Sequence, residues 1–99
     1  MKPKLVFGVE FEADLKESYL FYEQQRAGLG DDFILAVEAA LAEIYRNPML
    51  FAQVYKNMRK VNLKRFPFGV FYVVQNNETI ILAVLHLVRA PASWKKRKP

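Results

Sequence analysis

The sequence predicts an α+β domain with the element order β-α-α-β-β-β, an antiparallel meander sheet with a helical hairpin packed on one face. Three observations predict it. The apolar period changes from two to helical spacing at Phe11. A second helical run, rich in alanine, follows the Ala27-Gly28-Leu29-Gly30 break. The stretch from Met58 to Arg89 then alternates strand-like runs with turns at Pro67 and at Asn76-Asn77. Ninety-nine residues are expected to form one domain, spanning 1–99.

The first element is read from Lys4 to Glu10, with Leu5, Phe7 and Val9 on one side of a short strand. Leu15, Tyr19 and Tyr22 fall at i, i+4 and i+7, with Phe11 one turn earlier, which predicts a helix reaching about Arg26. Glu10, Glu12 and Asp14 crowd its start, where the macrodipole favours anions. Tyr19 and Tyr22 read as core, and Phe21 as an exposed docking residue. Asp31 or Gly30 is expected to cap the second helix, in which Phe33, Val37, Leu41 and Ile44 repeat at helical spacing. Ala36, Ala39, Ala40 and Ala42 allow close approach of a partner helix, so the two helices are expected to pair. Asn47-Pro48 ends the second, because the residue before proline avoids helical backbone. Leu50, Phe51 and Val54 of the connector are expected to tuck under the helices.

In the meander, Arg59, Val61, Leu63 and Arg65 share one face, and Lys60, Asn62, Lys64 and Phe66 the other. Pro67-Phe68-Gly69 is read as the turn. Val70–Val74 and Ile80–Leu85 are apolar on both faces, the mark of interior strands. Parity places His86 with Ile80, Leu82 and Val84.

Composition excludes several functions. There is no cysteine, hence no disulfide, thiolate metal site or cysteine nucleophile, and one histidine supplies no multi-histidine metal centre. No cofactor and no metal are expected. No apolar run approaches the length of a membrane span, so a cytoplasmic protein without a membrane partner is expected. The net charge of +5 is unevenly distributed. Residues 1–50 hold nine acids and five bases, for −4, and residues 51–99 hold ten bases and one acid, for +9. That division predicts a positive surface built by the second half, suited to an anionic partner.

The ordered set of words resembles the ParE/RelE superfamily of bacterial type II toxins, most closely its ParE-like branch. The similar stretches are Ala13-Asp-Leu with Tyr19 and Tyr22, Gly28-Leu-Gly-Asp-Asp-Phe33, and Asn47-Pro48. They continue with Arg59-Lys60, Leu63-Lys-Arg-Phe-Pro-Phe-Gly-Val-Phe-Tyr72, and Leu82-Ala-Val-Leu-His86 with Arg89 and Trp94. Val9-Glu10-Phe11 departs from the Pro-Glu-Ala common in relatives. The resemblance implies a growth-inhibiting toxin held in a hetero-oligomer by a cognate antitoxin. Relatives divide between DNA gyrase, blocked by binding, and messenger RNA, cleaved on the ribosome without metal.

Metal-free RNA cleavage needs a base for the 2′-hydroxyl, cations for the phosphate and an acid for the leaving oxygen. The candidate set for that chemistry is Arg59, Arg65, His86 and Arg89. His86 alone has an ordinary pKa suited to proton transfer, but a lone histidine on an apolar face reads first as a packed core residue. No tyrosine follows Tyr72, whereas several RelE-like nucleases place a catalytic tyrosine or histidine close to their C-terminus, and here that end is Trp94 and lysines. The resemblance therefore favours the binding mechanism over the nuclease, with a non-toxic interaction module of the same fold as the further alternative. The candidate target- and antitoxin-binding residues are Arg59, Lys60, Lys64, Arg65, Arg89 and Trp94. Lys95-Lys-Arg-Lys98 is read as a mobile basic tail.

Overall fold

The computed structural model describes residues 3–88 and 91–99. In chain order it contains β1 (Lys4–Phe7), α1 (Val9–Gln25), α2 (Leu29–Arg46), β2 (Gln53–Tyr55), β3 (Met58–Asn62), β4 (Phe68–Gln75), β5 (Glu78–His86) and α3 (Pro91–Lys95). The expected meander is present as β3-β4-β5 within a five-stranded mixed sheet of order β1-β5-β4-β3-β2. The N-terminal strand adds to it in parallel, pairing Lys4 with Glu78 and Phe7 with Ile81. Its chain must then cross the sheet before returning, and the helical hairpin supplies that crossing.

Several boundaries differ from expectation for local reasons. The strand ends at Phe7 rather than Glu10, because Gly8 is the N-cap of α1 and donates to the carbonyl of Ile81 at 2.8 Å. Val9 is consequently exposed, whereas Phe7 stays beside Phe11, with ring centroids 5.3 Å apart. The turn expected at Pro67-Phe68-Gly69 lies earlier. Leu63 donates to Phe68 at 2.8 Å, closing a loop in which Arg65 takes φ 74°, so Phe68 and Gly69 already belong to β4. Asn76 and Asn77 have φ of 50° and 60°, as a tight two-residue hairpin turn requires. Of the connector, Phe51 packs against the helix-side core, but Leu50 and Val54 are exposed and Val54 lies in β2.

Neither Asp31 nor Gly30 caps α2. Its N-cap is Gly28, at φ 91°, and the carboxylate of Glu23 reaches across from α1 to accept from Gly28 and Gly30 N–H at 3.0 Å each. At Gly30, a Cβ would stand 2.7 Å from the Tyr19 ring, so the hairpin closes only around a residue without a side chain. Tyr22 stacks on Phe33 at 5.4 Å and meets Phe66 and Phe68 edge-on, joining both helices to the sheet. Tyr19 is partly buried, and Phe21 is 55% exposed.

The sheet buries both faces. Phe11, Phe33, Val37, Ile44, Val61, Val70, Tyr72, Ile81 and Val84 form the core under the helices. Met58, Phe71, Val73, Ile80, Leu82, Ala83 and Leu85 form a second cluster, with Val6 and Trp94 packed against it. One irregularity sets which β5 residue serves which side. Phe71 pairs with Ala83 but Tyr72 pairs with Ile81, so Leu82 is an extra residue and the alternation reverses there. His86 therefore shares the helix side with Val84, Ile81 and Thr79, not with Ile80 and Leu82 as uninterrupted parity predicts.

Candidate functional site

On the sheet face away from the helices, the chain after β5 returns as a short arm containing α3. Trp94 stacks on Phe71 with centroids 4.9 Å apart and planes at 20°, and Tyr55 meets Trp94 edge-on at 6.4 Å. Lys95 Nζ stands 4.7 Å from the Tyr55 centroid and 5.8 Å from that of Trp94, with Lys56 Nζ 5.3 Å from Tyr55. Two lysines from distant parts of the chain thus share one aromatic platform, favourable because ring faces carry negative potential. Beside it opens a cleft of about 230 Å³ lined by Lys56, Lys95, Arg97, Lys98 and the β2–β3 turn, with no acidic side chain among its described lining residues.

Arg97, expected in a mobile tail, is fixed. Its Nη1 donates to Asp14 Oδ2 at 2.8 Å and to the carbonyl of Leu82 at 3.0 Å, and its Nη2 donates to Asp14 Oδ1 at 3.1 Å. Glu10 Oε2 lies 3.1 Å from Arg97 Nε. Asp14 in turn accepts from Val84 N–H at 3.1 Å. Its side chain and that of Arg97 are only 9% and 12% exposed. The hydrogen bonds to Asp14 raise the Arg97 pKa further above its ordinary value, outweighing the cost of burial. Asp14 is therefore not a helix-end charge. It stands one turn after Phe11 and beside Leu15, on the buried stripe of α1, where an acid needs a partner. That position was the available sequence signal.

The other predicted residues do not gather at one margin. Arg59 turns to the helix side, where Nη1 donates to the carbonyls of Phe51 and Met49 and pins the connector. Its cross-strand partner Tyr72 does the same at Pro48, whose carbonyl accepts from the hydroxyl at 2.6 Å. Burial pushes the Tyr72 pKa up to about 12, against a smaller lowering by Arg59. Lys60 lies on the open face, its methylenes packed over Gly69. Lys64 is exposed at the β3–β4 turn beside Arg65. The Arg65 guanidinium stands 5.9 Å over Phe66 and 3.9 Å from Asp32 of α2. Arg89 lies outside the described residues. Trp94 belongs to the platform already described.

His86 lies toward the other end of the sheet from Arg59. Its ring is 5.2 Å from Phe68, and Nδ1 accepts from Val88 N–H at 3.2 Å, which places the proton of the neutral ring on Nε2. It lines a cavity of about 200 Å³ with Glu17, Ser18 and Phe21. Its partner on β4 is Phe68, whereas Arg59 faces Tyr72 from the opposite neighbour. Four residues of strand separate those levels, roughly 13 Å. The helical hairpin presents a further surface, an apolar groove of about 230 Å³ lined by Phe7, Phe11, Leu15, Ile34, Val37 and Leu41 and bordered by Glu12 and Glu38.

Among solved structures, the fold is similar to a chain of the chromosomal ParDE toxin–antitoxin system from P. aeruginosa. The TM-score is 0.76 at 18% identity, over 85% of this chain and 95% of that one. No curated protein matches the sequence. The family model for the ParE toxin of the type II toxin–antitoxin system parDE matches residues 5–91, nearly the whole of the described fold. The chain is a member of the ParE toxin family.

Proposed function

We propose that this toxin inhibits growth by binding DNA gyrase in the cytoplasm, and that a cognate antitoxin neutralises it by direct contact. The observation that carries the reading is the separation along the sheet of His86 from Arg59, the cation held on the helix side. A metal-free nuclease must place a proton-transfer group and phosphate-binding cations around one scissile bond, within hydrogen-bond reach of the reacting atoms. Here His86 packs on Phe68, Arg59 is spent on backbone carbonyls, and Arg65 leans toward Asp32. The aromatic–cationic platform has the features of a binding surface, with anchors of the kind that dominate interfaces.

For the antitoxin, the groove between α1 and α2 suits the apolar face of an amphipathic helix. Its rim of Glu12 and Glu38 favours basic flanks on that helix, the reverse of the acidic segment that net charge alone suggests. Induction in bacteria, followed by plasmid supercoiling and messenger-RNA 5′ ends in parallel, tests the target. Loss of supercoiling with intact transcripts is expected. Codon-phased cuts would replace this reading with the ribosome-dependent nuclease, and normal growth would discard both in favour of a non-toxic interaction module of the same fold.

A further inference from the structure

β1 ends at Phe7, and its last partner on β5 is Ile81. Beyond that level the outer edge of β5 has no strand beside it among the described residues, yet the carbonyl of Leu82 and the N–H of Val84 are both satisfied. The donor to the first is Arg97 and the acceptor for the second is Asp14, and the two side chains are joined by two further hydrogen bonds. An acceptor–donor pair of side chains thus occupies the place of a missing peptide. The Leu82 bulge sits at that point. Three residues before Arg97 stands Trp94, stacked on Phe71, and between them Lys95 reaches Tyr55. The arm is thus held by hydrogen bonds at Arg97 and by ring stacking at Trp94, and the platform lies at the second of these.

We infer that Asp14 and Arg97 form a clasp that sets the position of the C-terminal arm and so composes the Tyr55–Lys56–Trp94–Lys95 surface. The pair is a positioning device: it acts on the target through that surface, and although Arg97 borders the neighbouring cleft, its donors are turned to Asp14 and Leu82. This function rests on the proposed toxin reading, but the clasp itself does not. Because Asp14 must accept from Val84 and Arg97 must donate to Leu82, the arrangement reads backbone polarity as well as charge. Exchanging the two residues restores opposite charges while facing a donor with a donor and an acceptor with an acceptor.

Trp94 is the only tryptophan in the sequence and reports the arm directly. Arg97→Gln is expected to shift Trp94 emission to longer wavelength and open it to iodide quenching, while circular dichroism and exchange of the β4 amides stay as in the parent. Val84 N–H keeps its acceptor in that variant and stays protected, whereas Asp14→Asn weakens both ends. Against purified gyrase, Arg97→Gln is expected to need about tenfold more protein for half-inhibition, as follows if the docked arm falls to about a tenth of the population. Antitoxin binding should stay within about twofold, since the helical groove is intact. Arg97→Lys should recover part of the loss, and the Asp14→Arg, Arg97→Asp exchange none.

Unchanged Trp94 emission in a folded Arg97→Gln variant would overturn the clasp. Recovery of a docked arm by the exchange would overturn the backbone-polarity argument. A released arm with full inhibition would overturn the positioning role. Should the parent chain fail to inhibit gyrase at all, the target reading falls, while the fluorescence and exchange results still decide the clasp.

Discussion

On the helical side of the sheet, Phe33, Val37, Ile44, Tyr72 and Ile81 are each at most 1% exposed beneath two long helices. On the other side, Met58, Phe71, Val73 and Leu85 reach 2–4% exposure, yet the partly buried hydrophobic residues packed against that cluster are Val6 and Trp94, with no long helix over it among the described residues. Burial is similar, but the means differ. The first face is closed by an amphipathic hairpin whose apolar spacing is local in the sequence. The second is closed by a few terminal residues whose hold depends on an ion pair between positions 14 and 97, 83 residues apart. The hairpin is a covalently continuous lid with many anchors, whereas the arm has one principal fastening and should be the more easily opened.

The largest effect should come from the helical side. Phe33→Ala empties a site enclosed by Tyr22, Phe66 and Phe68 and should cost about 4 kcal/mol, enough to unfold a chain of this size under mild denaturant. Phe71→Ala removes an equal ring from the open face. It should cost less, about 3 kcal/mol, because Trp94 can settle into part of the space. Equal midpoints for the two variants in urea would erase the distinction between the faces.

Asp14→Ala should cost about 3 kcal/mol, since it strands Arg97 and the Val84 N–H together, and the loss should appear in urea unfolding as well as in arm release. Tyr72→Phe should cost about 1 kcal/mol, leaving the Pro48 carbonyl without its donor. Its pH signature has a definite sign. The folded pKa of Tyr72 is raised from 10.0 to about 12, so its contribution is complete below pH 10 and is lost as pH rises toward 12. The stability difference between parent and Tyr72→Phe should therefore narrow over that window and be flat below it. Arg65→Ala should change stability by under about 0.5 kcal/mol, because its contact with Asp32 is 3.9 Å long and its side chain 70% exposed. A larger thermal shift would make the β3–β4 turn part of the structural frame.

What was legible in the sequence followed from local rules. The helical spacing of Phe33, Val37 and Ile44, the paired asparagines and the doubly apolar runs of β4 and β5 each determine structure through near neighbours. The parts that escaped are long-range. Parallel pairing of β1 with β5 depends on where the crossover lands. The bulge at Leu82 is invisible in an unbroken apolar run, and it alone misplaced His86. Arg97 looked like one of four interchangeable cations, and only the geometry distinguishes it from Lys95, Lys96 and Lys98. The charge division between the halves was real in sequence, but folding uses part of it internally. Glu10 and Asp14 meet Arg97, Asp32 meets Arg65, and the remaining lysines of the arm face a different surface from Arg59 and Arg65.

The stretch of β5 guarded by Asp14 and Arg97 has a consequence for solubility. An unpaired strand margin invites any extended chain, including another copy of the same molecule, to add to it. A buried carboxylate and guanidinium make poor templates for such addition, since an incoming backbone would have to displace both charges and leave them unpaired. Removing residues 91–99 should therefore do more than uncover Phe71: it should leave a sticky border along which copies of the toxin join into sheets.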